Sequence, residues 1–239
     1  MQILRAILIT ALALGANLSI AASSSAERWL AYQLARVTVA ADGTVQQASL
    51  PHSTLSVAMQ EQVLNRVRTF EFEPATRDGL AGVTETTVWV KLALEPNGDQ
   101  LELRVIGADI TVGMERLKAP RYPAAQLRRM QSATVDLQVS YDQTGKVTDV
   151  NVTSAKPDLK AFKLAAIKAA REWQVQPERI DGVGMAGSVL VPVRFEIAGQ
   201  NNDSGMINFP DGGSLEVSRE LGQPDQLLGS TLRLRATES

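Results

Sequence analysis

Residues 135–154 read VDLQVSYDQTGKVTDVNVTS. Apolar and polar side chains alternate up to Tyr141, the period of a strand with one buried face. Asp142-Gln143-Thr144-Gly145 ends the run in a turn, where Gly145 supplies the positive φ that a tight hairpin needs. A second strand follows at once from Val147. Downstream, Pro157-Asp158 reads as the start of a helix with Asp158 as its N-cap, and Phe162, Ala165, Ala166, Ile167 and Ala169 form its apolar stripe. The helix leaves through Trp173-Gln174-Val175-Gln176-Pro177, and a glycine-containing loop follows. A last alternating strand turns Val189, Val191, Val193, Phe195 and Ile197 toward the helix. Leu190, Pro192, Arg194 and Glu196 point the other way. The stretch is a β-β-α-β unit.

The same pattern runs from Leu34 to Leu94. A strand ends at Ala41-Asp42-Gly43, Val45 opens the next, and Met59, Val63, Leu64 and Val67 make the helical stripe. The exit is Phe70-Glu71-Phe72-Glu73-Pro74, and Val88, Val90, Leu92 and Leu94 line the closing strand. Gly43 and Gly145 stand 102 positions apart, Phe70 and Trp173 103 apart. Landmarks in one order at a nearly constant offset indicate an internal repeat. The expected fold class is α+β: two small β-β-α-β domains, each with one helix on an antiparallel sheet. Units of about 65–75 residues sit near the lower limit for a self-sufficient core, so the two are expected to pack together.

The surrounding chain sets the compartment. Residues 6–21 are apolar except for Thr10, Asn17 and Ser19, behind Arg5. Ser19-Ile20-Ala21 and Ser24-Ser25-Ala26 offer small residues to a signal peptidase, so residues 1–26 are expected to be a cleaved export signal. An uncleaved anchor is the alternative, and in that case alone would the membrane be a partner. The divisions that follow are 27–95, a connector 96–118, 119–198, and a polar tail 199–239. The tail contains short runs (Ser214–Val217, Leu227–Leu234) that are either strands or loosely docked. The 239 residues carry a net charge of −2 and 5% aromatics, which argues against nucleic acid as a partner. There is no cysteine, which removes disulfides, thiol catalysis and cysteine zinc sites.

The segment from Ala119-Pro120-Arg121-Tyr122-Pro123, through the Gly145 hairpin and Ala170-Arg171-Glu172-Trp173, to Val191-Pro192-Val193-Arg194-Phe195 resembles the TonB C-terminal domain family. The first repeat resembles it only through the second. The resemblance implies a domain without an active site. Such a domain captures an extended segment of an outer-membrane receptor beside its last strand by backbone pairing, as in β-augmentation. The partner-binding positions it implies are Pro120, Arg121, Tyr122, Leu190, Pro192, Arg194 and Glu196. Tyr122 and Trp173 also read as core residues, and Pro192 as an edge-strand proline.

Residues 1–26 lack the histidine of an energised family member. The first repeat begins too early for a long proline-rich spacer, and Ala119 stands where such members place Gln. An adaptor or scaffold in the periplasm is therefore expected ahead of an anchored energy transducer of atypical layout. An envelope enzyme comes last: the lone His52 sits in a Pro-His-Ser turn and no ligand cluster, Gly-x-Ser-x-Gly or phosphate loop appears. No cofactor or metal is expected. The partner is a protein, its natural candidate the N-terminal segment of an outer-membrane receptor, and a homodimer stays open.

Overall fold

The computed structural model describes residues 28–97, 100–197, 204–209, 212–218, 226–228 and 230–235. The expected export signal lies outside them. Among the described residues no helix is long and apolar enough to cross a membrane.

The fold is mixed α/β, mostly strands, with three helices on antiparallel sheets. β1 (Trp29–Val39) turns into β2 (Val45–Ser49) and leads to α1 (Val57–Arg68). The Ser56 side chain caps α1 by accepting from the Met59 amide at 3.3 Å, and Val63 and Val67 face the core. Three short strands follow: β3 (Phe72–Glu73), β4 (Thr76–Arg77) and β5 (Leu80–Ala81). A long hairpin, β6 (Thr84–Asn97) and β7 (Gln100–Thr111), continues into β8 (Gly113–Arg116) and the short α2 (Ala124–Arg128). Next come β9 (Ala133–Tyr141), β10 (Val147–Lys156), α3 (Lys160–Ala170), β11 (Gln174–Gln176), β12 (Arg179–Ile180), β13 (Val183–Gly184) and β14 (Gly187–Phe195). The C-terminal region adds β15 (Ser204–Asn208), β16 (Ser214–Ser218), β17 (Gln226–Leu228) and β18 (Arg233–Leu234).

Both stretches contain an antiparallel pair of strands, then a helix, then a strand that returns beside the first, and their pairing registers correspond. β1 lies antiparallel between β2 and β6, as β9 lies between β10 and β14. Arg36 faces Ser49 on one side and Thr87 on the other; Gln138 faces Asn151 and Leu190. The Gly43 carbonyl accepts from the Phe72 amide at 2.8 Å, and the Gly145 carbonyl accepts from the Val175 amide at 2.8 Å. Phe70 and Trp173, at the helix exits, are both buried. The loop after each exit is also the same. Asp78-Gly79 joins β4 to β5 and Asp181-Gly182 joins β12 to β13, each pair with positive φ at both residues, as a two-residue type I′ hairpin requires.

Several details differ from the sequence reading. The 96–118 stretch is largely paired strand: β7 pairs with β6 from Thr87 to Asn97, and β8 pairs with β11 across Gly113–Gln176. Asp158 does not cap α3. The helix begins after Leu159 with no side-chain cap, and the Asp158 carboxylate is held by Lys163 at 2.5 Å instead.

The described parts of the tail pair with the rest of the chain. β16 pairs with β15 and, at Leu30–Ser218, with β1, while β18 pairs with β3. Phe209, Leu215, Val217 and Leu232 lie in the same core as Val63, Phe70, Phe72, Val88 and Val90. A second core gathers Val135, Leu137, Val139, Phe162, Ala166, Trp173, Val189 and Phe195. The two sets are stitched by main-chain pairing, with β12 lying on the start of β6 at Thr84 and Glu85.

Candidate strand-pairing site

The site expected from the sequence is the outer edge of β14 together with the segment before α2. On β14, Val189, Val191, Val193 and Phe195 are buried, as alternation predicts. Leu190 and Pro192 are half-buried, and Arg194 and Glu196 are exposed on the other face. β9 pairs with β14 along its whole length, Gly187 to Phe195. On the opposite side β17 pairs only with Ser188, Val189 and Leu190. The edge is therefore partly covered: Ser188, Val189 and Leu190 are held by the chain's own tail. Pro192, which has no N–H to give a ladder, falls beyond the stretch that β17 occupies.

The Pro120–Pro123 segment is brought to the far end of β14 by Tyr122. Its ring stands edge-on to Phe162 and Phe195, with centroids 5.7 Å away in each case, and its hydroxyl donates to the Gln131 carbonyl at 2.6 Å. Phe162 and Phe195 are themselves 4.8 Å apart, so three rings close the end of this core. Tyr122 thus acts as a packing residue that positions its neighbours, while Arg121 is exposed beside it. Just upstream, the Trp173 indole N–H donates to the Lys118 carbonyl at 2.8 Å, and the Lys118 ammonium meets Glu172 at 2.5 Å. The hydrogen bond from Lys118 holds the Glu172 carboxyl below its ordinary value. Burial raises the pKa of the Tyr32 hydroxyl on β1, and the charges of Lys91 and, more weakly, Arg194 oppose the rise.

The sequence reading missed the group at the start of β14. Glu178 is only 5% exposed, and both its carboxylate oxygens accept from the Ser230 hydroxyl, at 3.1 and 3.0 Å. Burial raises its pKa, and the Ser230 hydrogen bond opposes the rise. The Tyr141 hydroxyl, on the same small cavity of about 80 Å³, is pushed up by burial and further by the Glu178 charge. Ser230, Thr231 and Leu227 from the tail also line this cavity. The apolar pair Leu227-Leu228 in a polar tail was the one available signal.

Comparison with known proteins agrees with this geometry. Residues 118–197, from the Lys118 anchor through the end of β14, match the family described as Gram-negative bacterial TonB protein C-terminal. This segment is a TonB C-terminal domain. The chain is 34% identical over 92 residues to Protein TonB of Xanthomonas campestris pv. campestris (strain B100), covering 38% of this chain and 41% of that protein. It is 29% identical over 80 residues to Protein TonB of Vibrio cholerae serotype O1, covering 34% of this chain and 32% of that protein. The chain therefore spans about two fifths or less of the curated relatives it matches. Within the matched segment β14 is the last strand, and among the described residues its outer side pairs with the three residues of β17.

Proposed function

We propose that this chain is a periplasmic protein–protein interaction module, serving TonB-dependent outer-membrane transport as an adaptor or scaffold. Its two tandem units, 27–95 and 119–198, are copies of the TonB C-terminal type joined through 96–118. The second captures an extended segment of a partner along β14, with Pro120, Arg121 and Tyr122 flanking the far end. The partner is the N-terminal segment of an outer-membrane receptor. Main-chain hydrogen bonds supply most of the affinity, and the outward residues Leu190, Pro192, Arg194 and Glu196 tune selectivity.

One observation carries the reading: the family match ends on β14, and β17 covers only three of its residues. The tandem arrangement is supported by the shared registers around β1 and β9. Titration of receptor N-terminal peptides into the exported protein tests the capture. The parent binds, single outward side-chain changes matter little, and Arg194→Pro, which removes a backbone donor, weakens binding with the circular dichroism spectrum preserved. A folded Arg194→Pro protein that binds as tightly as the parent excludes pairing through that donor. Failure of the parent to bind any receptor peptide refutes the role. A second reading is an anchored energy transducer of atypical layout, which the similarity to Protein TonB leaves open. N-terminal sequencing decides between them: a mature chain starting at Ala22 or Glu27 excludes the anchor, and a retained Met1 in washed membranes supports it.

A further inference from the structure

We infer that β17 is a built-in competitor for the β14 edge, a tethered strand that a partner must displace. The inference rests on the strand-capture reading above.

β6 occupies beside β1 the place that β14 occupies beside β9. Its outer edge is full. β12 takes Thr84 and Glu85, and β7 takes eleven register positions from Thr87 to Asn97. Among the described residues the strand of the first set that corresponds to β14 therefore has its outer side taken along nearly its whole length. On β14 the cap is short: three register pairs, Ser188 with Leu228, Val189 with Leu227, and Leu190 with Gln226. Leu227 packs against the rim of the second core, so the cap supplies an apolar side chain where an incoming strand would place its own.

The tether holds this weak cap in place. On its N-terminal side β16 is fixed to β1, with Leu215 and Val217 in the first core. On its C-terminal side the Ser230 hydroxyl binds Glu178, the Thr231 hydroxyl accepts from the Thr76 amide at 2.9 Å, and Leu232 is fully buried. When β17 lifts, its ends stay where they are, so it returns at a high effective concentration. Binding is then reduced by the fraction of molecules with β17 lifted. The partner this edge fits is an extended antiparallel strand with an apolar residue at the place of Leu227.

The chain has no cysteine, which permits a clean test. Directly paired residues of antiparallel strands sit about 4.5–5.5 Å apart at Cα, within the span of a disulfide. The double variant Ser188→Cys with Leu228→Cys locks β17 onto β14 when oxidised and frees it when reduced. The probes are labelled receptor N-terminal peptides and a synthetic peptide of residues 100–111, the strand that pairs with β6. Binding is read by fluorescence anisotropy and folding by circular dichroism. The reduced form is expected to bind as the parent does, the oxidised form at least about tenfold more weakly, and Leu227→Pro, which loosens the cap, more tightly than the parent. Equal binding by the folded oxidised and reduced forms overturns the cap and leaves the capture reading standing. Absence of binding by every form, Leu227→Pro included, overturns the capture reading and the cap with it.

Discussion

Replacing Gly145 and Gly182 separately by alanine isolates what the turn of the TonB C-terminal domain requires. Both glycines have positive φ, 82° and 76°. At Gly182 a new Cβ meets nothing within 4 Å, so Gly182→Ala loses only the backbone preference, about 1–2 kcal/mol. At Gly145 the Cβ would lie 1.8 Å from the Val175 carbonyl oxygen, a backbone atom that cannot step aside alone. The turn must move away from β11. That movement breaks the 2.8 Å bond from the Val175 amide to the Gly145 carbonyl and the bridge between Lys146 and Gln174. Each lost bond costs about 1 kcal/mol, so Gly145→Ala is expected to lose about 3–4 kcal/mol. The difference of about 2 kcal/mol corresponds to roughly 4–8 °C in thermal midpoint for a chain of this size. Urea unfolding followed by circular dichroism and tryptophan fluorescence measures both. Gly43→Ala is expected to behave like Gly145→Ala, since its Cβ would lie 2.0 Å from the Phe72 oxygen. Equal losses at Gly145 and Gly182 would refute the close-approach argument.

Three further outcomes follow from the cores and the buried acid. Trp173→Ala is expected to lose about 3–5 kcal/mol, because the ring is buried and its N–H holds Lys118; an unchanged unfolding midpoint would remove it from the core. Leu232→Ala is expected to lose about 2–5 kcal/mol although it lies in the polar tail; if chemical denaturation shows no loss, the tail does not complete the first core. For Glu178 the folded pKa is raised above the ordinary value of 4.5, so above that value the unfolded chain holds fewer protons than the folded one. Stability therefore falls as pH rises from 4.5 until the folded carboxyl ionises, and Glu178→Gln removes that fall. Urea midpoints across about pH 4 to about pH 8 check this, and parallel curves for parent and variant would sink it.

Much of the β9–β14 unit was legible because local chemistry and tertiary demand agree there. Alternation from Val135 to Tyr141 and from Val189 to Phe195 is the alternation of burial, and Trp173 and Phe70 are buried at equivalent places. A further repeat signal stood in plain view and went unread: Asp78-Gly79 and Asp181-Gly182, 103 positions apart, form the same type of turn. What stayed hidden depended on distant partners. The short alternation Leu215-Glu216-Val217 fits an exposed ribbon as well as a core strand, and only the vacancy beside Leu30 and Val63 decides between them. Asp158 looked like a cap, but its carboxylate goes to Lys163, a choice that sequence spacing does not reveal. The covered start of β14 was illegible for the same reason, since three residues of β17 carry no strand period of their own.

The burial of Phe209, Leu215, Val217 and Leu232 beside Val63 and Phe72 sets the order of maturation. A ribosome makes the first strands and helix long before it makes these side chains. Contacts at such separations in sequence are the slow ones, because their loop entropy is lost before any packing is gained. The stretch that is synthesised first therefore finishes folding last, and until then it exposes the apolar floor that the tail will cover. The second core takes from the tail only the rim residue Leu227 among the described residues. Loss of the segment that carries Phe209, Leu215, Val217 and Leu232 would leave the earlier-made core incomplete, so order near the start of the fold depends on side chains made about 150 residues later.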